Sequence, residues 1–526
     1  MEQLNNFNNL AEYVDNFLAK YSDRVAFTSV GREFTFNDVD VASRRLASFF
    51  EHTLGLKPGE RIAIQLPNLV QYPIAVYAAL RVGLVIVNTN PMYTPREMQH
   101  QFNDSDAQAL ILFDQIKPAL DAIRADIPVK NVIVTGAMDF IGGMPEVSEG
   151  AIATNEDGNY SLVDILAHQT SIDFTPTRAQ MAEVAVLQYT GGTTGVSKGA
   201  ALSHRNVLAN ILQTAERARP TYKDCEEILV CPLPLYHIYA FNMGMFFTSA
   251  HGNHTVLIPN PRDLDATVAM MKPYKFTIFA GLNTLFLGLC MHEGFKQLDF
   301  SALKITLSGG TALMEATAGL WEKTTGCRIS EGYGLSETAP VVSLNDPTDQ
   351  LIGSVGPAVI DTEVEFWDDN DQPVPDGEPG QLVCRGPQVM MGYWNRPEET
   401  AKVMKDGFFK TGDVGLRLPS GHIKIVDRLK DMIIVSGFNV FPNEIEGVLM
   451  THPDILEAAV IGEPDDRTGE KVCAYVTAKS QIDPAAIEAF CREQLTNYKV
   501  PKKIVQVEEL PKSSVGKILR RELRTA

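Results

Sequence analysis

The sequence predicts an α/β protein: a large N-terminal domain of several subdomains with mixed sheets, then a small α+β C-terminal domain. Three observations carry that prediction. Helical and strand patterns alternate over residues 36–84, as in sheets joined by helical crossovers. Dense turn chemistry between Asp368 and Gly380 leads into the strand-like run Gln381–Cys384, as among antiparallel strands. After about residue 431 the pattern changes, and about 95 residues with their own strand and helix order follow, enough for a small domain. The link between the two parts, Asp427-Arg428-Leu429-Lys430-Asp431, is short and highly charged.

The elements follow in order. Phe36-Asn37-Asp38 opens a helix in which Val39, Ala42, Leu46 and Phe49 recur at helical spacing. Arg61–Ile64 reads as a buried strand, Tyr72–Val82 as a helix, and Leu84–Val87 as another apolar run stopped at Asn90-Pro91. Gly136–Thr175 is rich in Gly, Asp, Asn and Ser and reads mostly as loop. Val184–Leu187 is a strand, and Asn206–Arg217 an amphipathic helix with Val207, Leu208, Ile211, Leu212 and Ala215 inward. Beyond the link, Met432–Val435, Ala458–Ile461 and Val472–Val476 read as strands. Pro442–Met450 and Pro484–Leu495 read as helices with proline near the first turn.

Composition narrows the class. The 526 residues are 45% hydrophobic and 21% charged, values of a globular chain. Lys and Arg total 46 against 65 Asp and Glu, a net charge of −19 that argues against a nucleic-acid partner. Seven cysteines without tight spacing suit a reducing compartment. The start, Met1-Glu2-Gln3-Leu4-Asn5, lacks the basic and apolar regions of a secretory signal. The longest apolar candidate, Leu69–Asn88, is broken by Pro73 and Arg81 and is no membrane span. A large cytoplasmic enzyme is expected. The acidity is uneven: residues 497–526 hold 8 basic and 3 acidic side chains.

The strongest local signal is Thr190-Gly191-Gly192-Thr193-Thr194-Gly195-Val196-Ser197-Lys198-Gly199 after a strand. Backbone N–H groups, hydroxyls and one cation in a glycine-rich loop suit a polyphosphate. It is not a Walker A loop, because Ser197 precedes the lysine. The alternative reading of the same composition is a flexible glycine turn. Gly195-Val196-Ser197-Lys198-Gly199 also matches G-x-S-x-G, so a serine hydrolase using Ser197 is an alternative of another class. That nucleophile needs strand, sharp turn and helix in immediate succession, and a stretch of loop separates Ser197 from its strand.

The loop resembles the signature of the adenylate-forming superfamily. Further motifs occur in order: Pro232-Leu233-Pro234-Leu235-Tyr236-His237, Ser308-Gly309-Gly310-Thr311, Glu331-Gly332-Tyr333-Gly334-Leu335-Ser336-Glu337, Lys410-Thr411-Gly412-Asp413, Asp427–Asp431 and Pro511–Lys517. The resemblance runs from about residue 10 to the end. Val435–Glu446, Phe279–Leu287 and Gly516–Leu523 bring it closest to bacterial long-chain fatty acid–CoA ligases. The chain departs from the common pattern at Ser197, often Pro, and at Phe408 and Lys410, often Trp and His. Its Gly136–Thr175 segment is shorter and more acidic than the basic insertion of some long-chain relatives.

What the resemblance implies is ATP-dependent activation of a fatty acid through an acyl-adenylate to acyl-CoA, with release of AMP and pyrophosphate. A medium-chain or aryl acid–CoA ligase is the alternative within the family. ATP, Mg²⁺ and coenzyme A are implied; a weak contact with the cytoplasmic membrane face and the oligomeric state stay open. The domains would be residues 1–427 and 432–526 around a hinge at 428–431, with Lys430 the pivot. Thr190, Gly191, Gly192, Thr193, Thr194 and Lys198 would hold phosphates, with Thr190 and Glu337 on the metal. Gly309, Gly310, Thr311, Glu331, Gly332, Tyr333 and Ser336 would surround the nucleotide, and Asp413 and Arg428 its ribose. Gly437 and Phe438 would touch CoA. Lys517 is the expected adenylation lysine. His237 would act at the acyl pocket or CoA, although a histidine among Leu235, Tyr236, Ile238 and Tyr239 also fits an ordinary core. Phe276–Leu289 is apolar enough to line an acyl tunnel or to be plain core. His251 and His254 lack a partner cluster for zinc, and Asp368–Asp371 lacks the glycine and distal Glu of a calcium loop.

Overall fold

A computed structural model describes residues 2–190, 197–513 and 516–524. Among them, two eight-stranded sheets, two five-stranded sheets and the helices between them make up the protein. One large sheet runs Val341–Leu344, Ile329–Gly334, Ile305–Ser308, Ile278–Gly281, Ile228–Cys231, His254–Leu257, Val25–Ser29, Arg32–Thr35. Its six central strands are parallel and its two edges antiparallel. The other runs Gly392–Tyr393, Lys198–Ser203, Val184–Thr190, Val85–Asn88, Arg61–Gln65, Ala107–Phe113, Asn131–Thr135, Tyr160–Ser161. There too six parallel strands are flanked by antiparallel ones, here both on one side.

A single core joins both sheets through the helices Leu10–Lys20, Phe36–Ser48, Gln71–Arg81 and His204–Ala218. Thr35 caps the helix Phe36–Ser48 in a reciprocal box with Asp38. Every residue of Gln71–Arg81 is buried, as expected of a helix apolar on all faces. Its one charge, Arg81, is paired with Asp15 at 2.7 Å and with Asp40, because an unpaired buried guanidinium would be costly. Within the Gly136–Thr175 stretch a seven-residue helix forms, Leu162–His168, capped by Ser161. Loop composition hid it, because three buried apolar side chains on a short helix leave little periodic signal.

The third sheet is antiparallel: Glu363–Trp367, Gly380–Arg385, Phe408–Arg417 and Met404–Lys405, with Ile423–Arg428 paired to Phe408–Arg417. The fourth collects Phe438–Val440, Ile433–Val435, Gly469–Ala478, Ile455–Asp465 and Lys503–Gln506. It packs on the helices Pro442–Leu449 and Pro484–Gln494 around its own core of Ile433, Ile445, Leu449, Val460, Val476 and Cys491. No helix among the described residues is long and apolar enough to cross a membrane.

Candidate active site

The motifs gather where parallel strands end, the usual binding edge of an α/β sheet. Ile305–Ser308 runs straight into Gly309, Gly310 and Thr311, and its neighbour Ile329–Gly334 carries Glu331, Gly332 and Tyr333. Gly309 lies against Tyr239; a Cβ there would come within 3.3 Å of the ring. Gly310 turns the chain at φ +82°, a left-handed conformation that glycine adopts without penalty. The Thr311 hydroxyl oxygen is buried and has no protein partner, so it is a donor and acceptor available to a ligand. Glu331 accepts the Gly353 N–H at 3.0 Å, and burial pushes its carboxyl up to about 7. Ser336 opens the short 3-10 turn Ser336–Thr338 that presents Glu337.

The third sheet brings in the next group. Register pairs Asp413 with Arg428 across adjacent strands, and Arg428 Nε stands 3.1 Å from Asp413 Oδ1. The other carboxylate oxygen accepts the Tyr333 hydroxyl at 2.6 Å. Arg428, Leu429 and Lys430 line a recess of about 310 Å³ with Thr411 and Gly412.

Lys517 comes from the far end of the chain. Gly516 before it, at φ +79°, is seated so closely on Thr284 that a Cβ would lie 2.9 Å from the Thr284 hydroxyl. Arg262 reaches the Ser513 carbonyl at 3.4 Å. Burial, then the Arg428 charge, lower the Lys517 ammonium to about 8. His237 is lowered to about 4 by burial and by the nearby Lys517 charge, so it is neutral at physiological pH. Positive groups at 428, 430 and 517 thus converge on the Asp413 carboxylate, with neutral His237 beside Lys517, a layout suited to a polyanion.

At the second sheet, Thr190 ends one strand and Lys198 begins the return strand directly opposite. Gly191, Gly192, Thr193 and Thr194 lie outside the described residues. The Lys198 ammonium is paired with Glu399 and sits 5.0 Å from the Tyr393 ring centroid. The Tyr393 hydroxyl in turn donates to Glu337 Oε1 at 2.8 Å. Glu337 is buried, and that burial raises its carboxyl above the ordinary value. A buried carboxylate of this kind, joined through Tyr393 to Lys198, fits Mg²⁺, which is commonly held by one or two carboxylates plus substrate oxygens. Among the described residues no group of three or more His, Cys, Asp or Glu side chains could hold a metal without such help.

Ser197 is not a hydrolase nucleophile. It precedes a strand rather than a helix, and its hydroxyl donates to the Thr190 carbonyl at 2.6 Å. His100 bonds the Ser197 carbonyl at 2.9 Å, not its hydroxyl. The Phe276–Leu289 stretch is split in role: Phe279 and Phe286 pack on Trp321 in an aromatic core, whereas Leu282 lies between Gly310 and Gly516. Gly437 and Phe438 form a hairpin tip in the fourth sheet, with Phe438 stacked on Tyr498 at 4.7 Å. None of the contacts among the described residues that join Tyr333, Asp413, Arg428 and Lys517 reaches that tip. His254 bonds Thr28 at 2.8 Å, and Asp371 is paired with Lys405 and Lys410.

Tyr393 and Glu399 were not legible in the sequence. Their only signal is Gly392-Tyr393-Trp394, a short strand-like run about two hundred residues after Lys198.

Comparison with known proteins bears on the whole chain. Residues 14–394 match the family model described as AMP-binding enzyme, and residues 444–517 that of the AMP-binding enzyme C-terminal domain. The long-chain-fatty-acid–CoA ligase of Salmonella typhimurium is 42% identical, over 98% of this chain and 94% of that protein. The ligase of the same description from Escherichia coli O6:H1 is 41% identical over the same shares. The crystal structure of ATP-bound MatB from Rhodopseudomonas palustris superposes with a TM-score of 0.86 at 28% identity, covering 99% of both chains.

Proposed function

The chain belongs to the AMP-binding enzyme family, and from that premise we propose how its residues divide the work of an AMP-forming fatty acid–CoA ligase. The reaction uses ATP, Mg²⁺ and CoA. A carboxylate oxygen of the fatty acid bonds to the α-phosphorus of ATP, and pyrophosphate leaves. The CoA thiol, losing its proton, then bonds to the acyl carbon of the adenylate, and AMP leaves. The observation that carries the assignment is the meeting of Lys517 with the Tyr333–Asp413–Arg428 cluster beside His237.

Attack of one anion on another needs alignment and neutralised charge more than a protein nucleophile. Lys517 supplies a cation where the attacking carboxylate meets the α-phosphate, and acts in the transition state. Asp413, held by Tyr333 and Arg428, accepts from the ribose hydroxyls. Thr311 and the glycines at 309, 310 and 332 enclose the base, together with Glu331, Tyr333 and Ser336. Lys198 and Thr190, with the loop between them, hold the outer phosphates. Glu337 and Thr190 would hold Mg²⁺, whose chemistry is to offset triphosphate charge. Neutral His237 shapes the mouth of the acyl pocket. Residues 428–431 form the hinge between 1–427 and 432–526, with Lys430 the pivot that lets Gly437 and Phe438 approach CoA in the second step.

The acid is a long-chain one. Full-length identity of 41–42% to ligases of that description supports it. An AMP-release assay with C6 to C18 acids, with and without CoA, tests both points. Turnover rising with chain length and dependent on CoA is expected; a maximum at C6 or with aryl acids overturns the chain-length assignment. ATP cleavage indifferent to CoA overturns the ligase.

A further inference from the structure

The end of the chain is tied back to the link it would swing about. Arg520, three residues after Lys517, forks onto Glu446 with Nε at 3.0 Å from Oε1 and Nη2 at 2.7 Å from Oε2. Its Nη1 donates to Asp427 Oδ1 at 3.0 Å and lies 3.6 Å from Asp431 Oδ2. Nη2 also donates to Asn443, and Arg524 approaches Asp431 at 3.4 Å. The second Asp427 oxygen accepts the Asn443 N–H at 2.7 Å, at the start of the helix Pro442–Leu449. Side-chain exposure is 14% for Arg520, 1% for Asp427 and 6% for Glu446.

These contacts are of two kinds. Glu446 and Arg520 both lie beyond the link, so their fork survives any swing of the C-terminal part. Asp427 lies on the N-terminal side of the hinge at 428–431, so its bonds to Arg520 and Asn443 exist only in this arrangement. They also oppose a repulsion, since Lys517 approaches Arg428, Lys430 and Arg520. We propose that Arg520 is a positioning residue: through Asp427 it latches the C-terminal part where Lys517 meets His237 and Asp413, and the latch opens for the second step. The proposal rests on the two-step ligase function above.

The test compares wild type with D427N, which loses the charge facing Arg520 but leaves the Glu446 fork. Measured are pyrophosphate exchange, thioester formation from supplied acyl-adenylate and CoA, tryptic cleavage at Arg428 and Lys430, and Tm. Expected is a roughly 10- to 100-fold loss of exchange, thioester formation within about twofold, faster cleavage at the link, and little change in Tm. Unchanged exchange and cleavage overturn the latch. Equal loss in both half-reactions with a fallen Tm also overturns it, as a structural role. Should D427N not fold, R520K, which keeps the charge but loses the fork, carries the same comparison. If wild type exchanges no pyrophosphate with any acid, the ligase assignment fails, and the cleavage comparison alone still decides the latch.

Discussion

The Tyr333 hydroxyl donates to Asp413 Oδ2 at 2.6 Å, joining a parallel strand of one large sheet to the antiparallel third sheet eighty residues later. With Arg428 on the other oxygen, both lone-pair faces of a buried carboxylate are fixed before any nucleotide arrives. Removing the hydroxyl in Y333F leaves Asp413 to Arg428 alone. A hydrogen bond to a charged group contributes about 1.5–3 kcal/mol, so ATP affinity should fall roughly tenfold or more. Titration calorimetry with ATP checks it; unaltered affinity would mean that Asp413 needs no such orientation.

Lys517 makes a pH prediction. Its lowered value near 8 means that the free protein holds the cation below that pH and sheds it above. The adenylation kcat/KM, which reports free-enzyme groups, should therefore decline as pH rises through about 8. In K517R, always charged, the decline should vanish at a lower plateau. K517A should abolish adenylate formation and leave thioester formation from supplied adenylate largely intact. Parallel loss of both half-reactions in K517A would remove Lys517 from the first step.

Glu337 is raised by burial, so in the ligand-free protein its charge opposes folding at neutral pH. The stabilising, protonated form is fully present at low pH and lost as pH rises through the folded value. E337Q should accordingly raise Tm without ligand while lowering Mg²⁺-dependent activity roughly 100-fold. Y393F, which removes the hydrogen bond to Glu337, should raise the Mg²⁺ requirement roughly tenfold, as supporting partners of metal ligands do. A magnesium titration of initial rates decides between these and no role.

Lys430 tests the pivot. K430P fixes φ at the link and should depress thioester formation at least tenfold more than pyrophosphate exchange. If the two fall in step, the rotation lies elsewhere in 428–431.

Legibility followed sequence distance. The helix Phe36–Ser48, the strand Arg61–Gln65 and the helix Pro442–Leu449 were readable because their periodicity and caps are local. The return strand Lys198–Ser203 was missed, since Ala200-Ala201 is too short an apolar signal and its partner lies across the glycine loop. Tyr393 was missed for the same reason on a longer scale: nothing near it foretells the hydrogen bond to Glu337. Arg520 stood inside a lysine- and arginine-rich tail, where a solvated face is the ordinary expectation.

By itself, the sequence determined the α/β class, a loop suited to phosphate, because glycines, threonines and a lysine at set spacing are a local requirement, and the order of motifs whose resemblance to the adenylate-forming superfamily implied the chemistry. Only the tertiary structure decided which charges meet. Lys517 beside His237, Tyr333 on Asp413, Glu399 on Lys198 and Arg520 on Asp427 join residues 80 or more positions apart, whereas Asp413 meets Arg428 across one strand pair. Coulomb attraction and burial act through space, and a linear pattern records only neighbours along the chain.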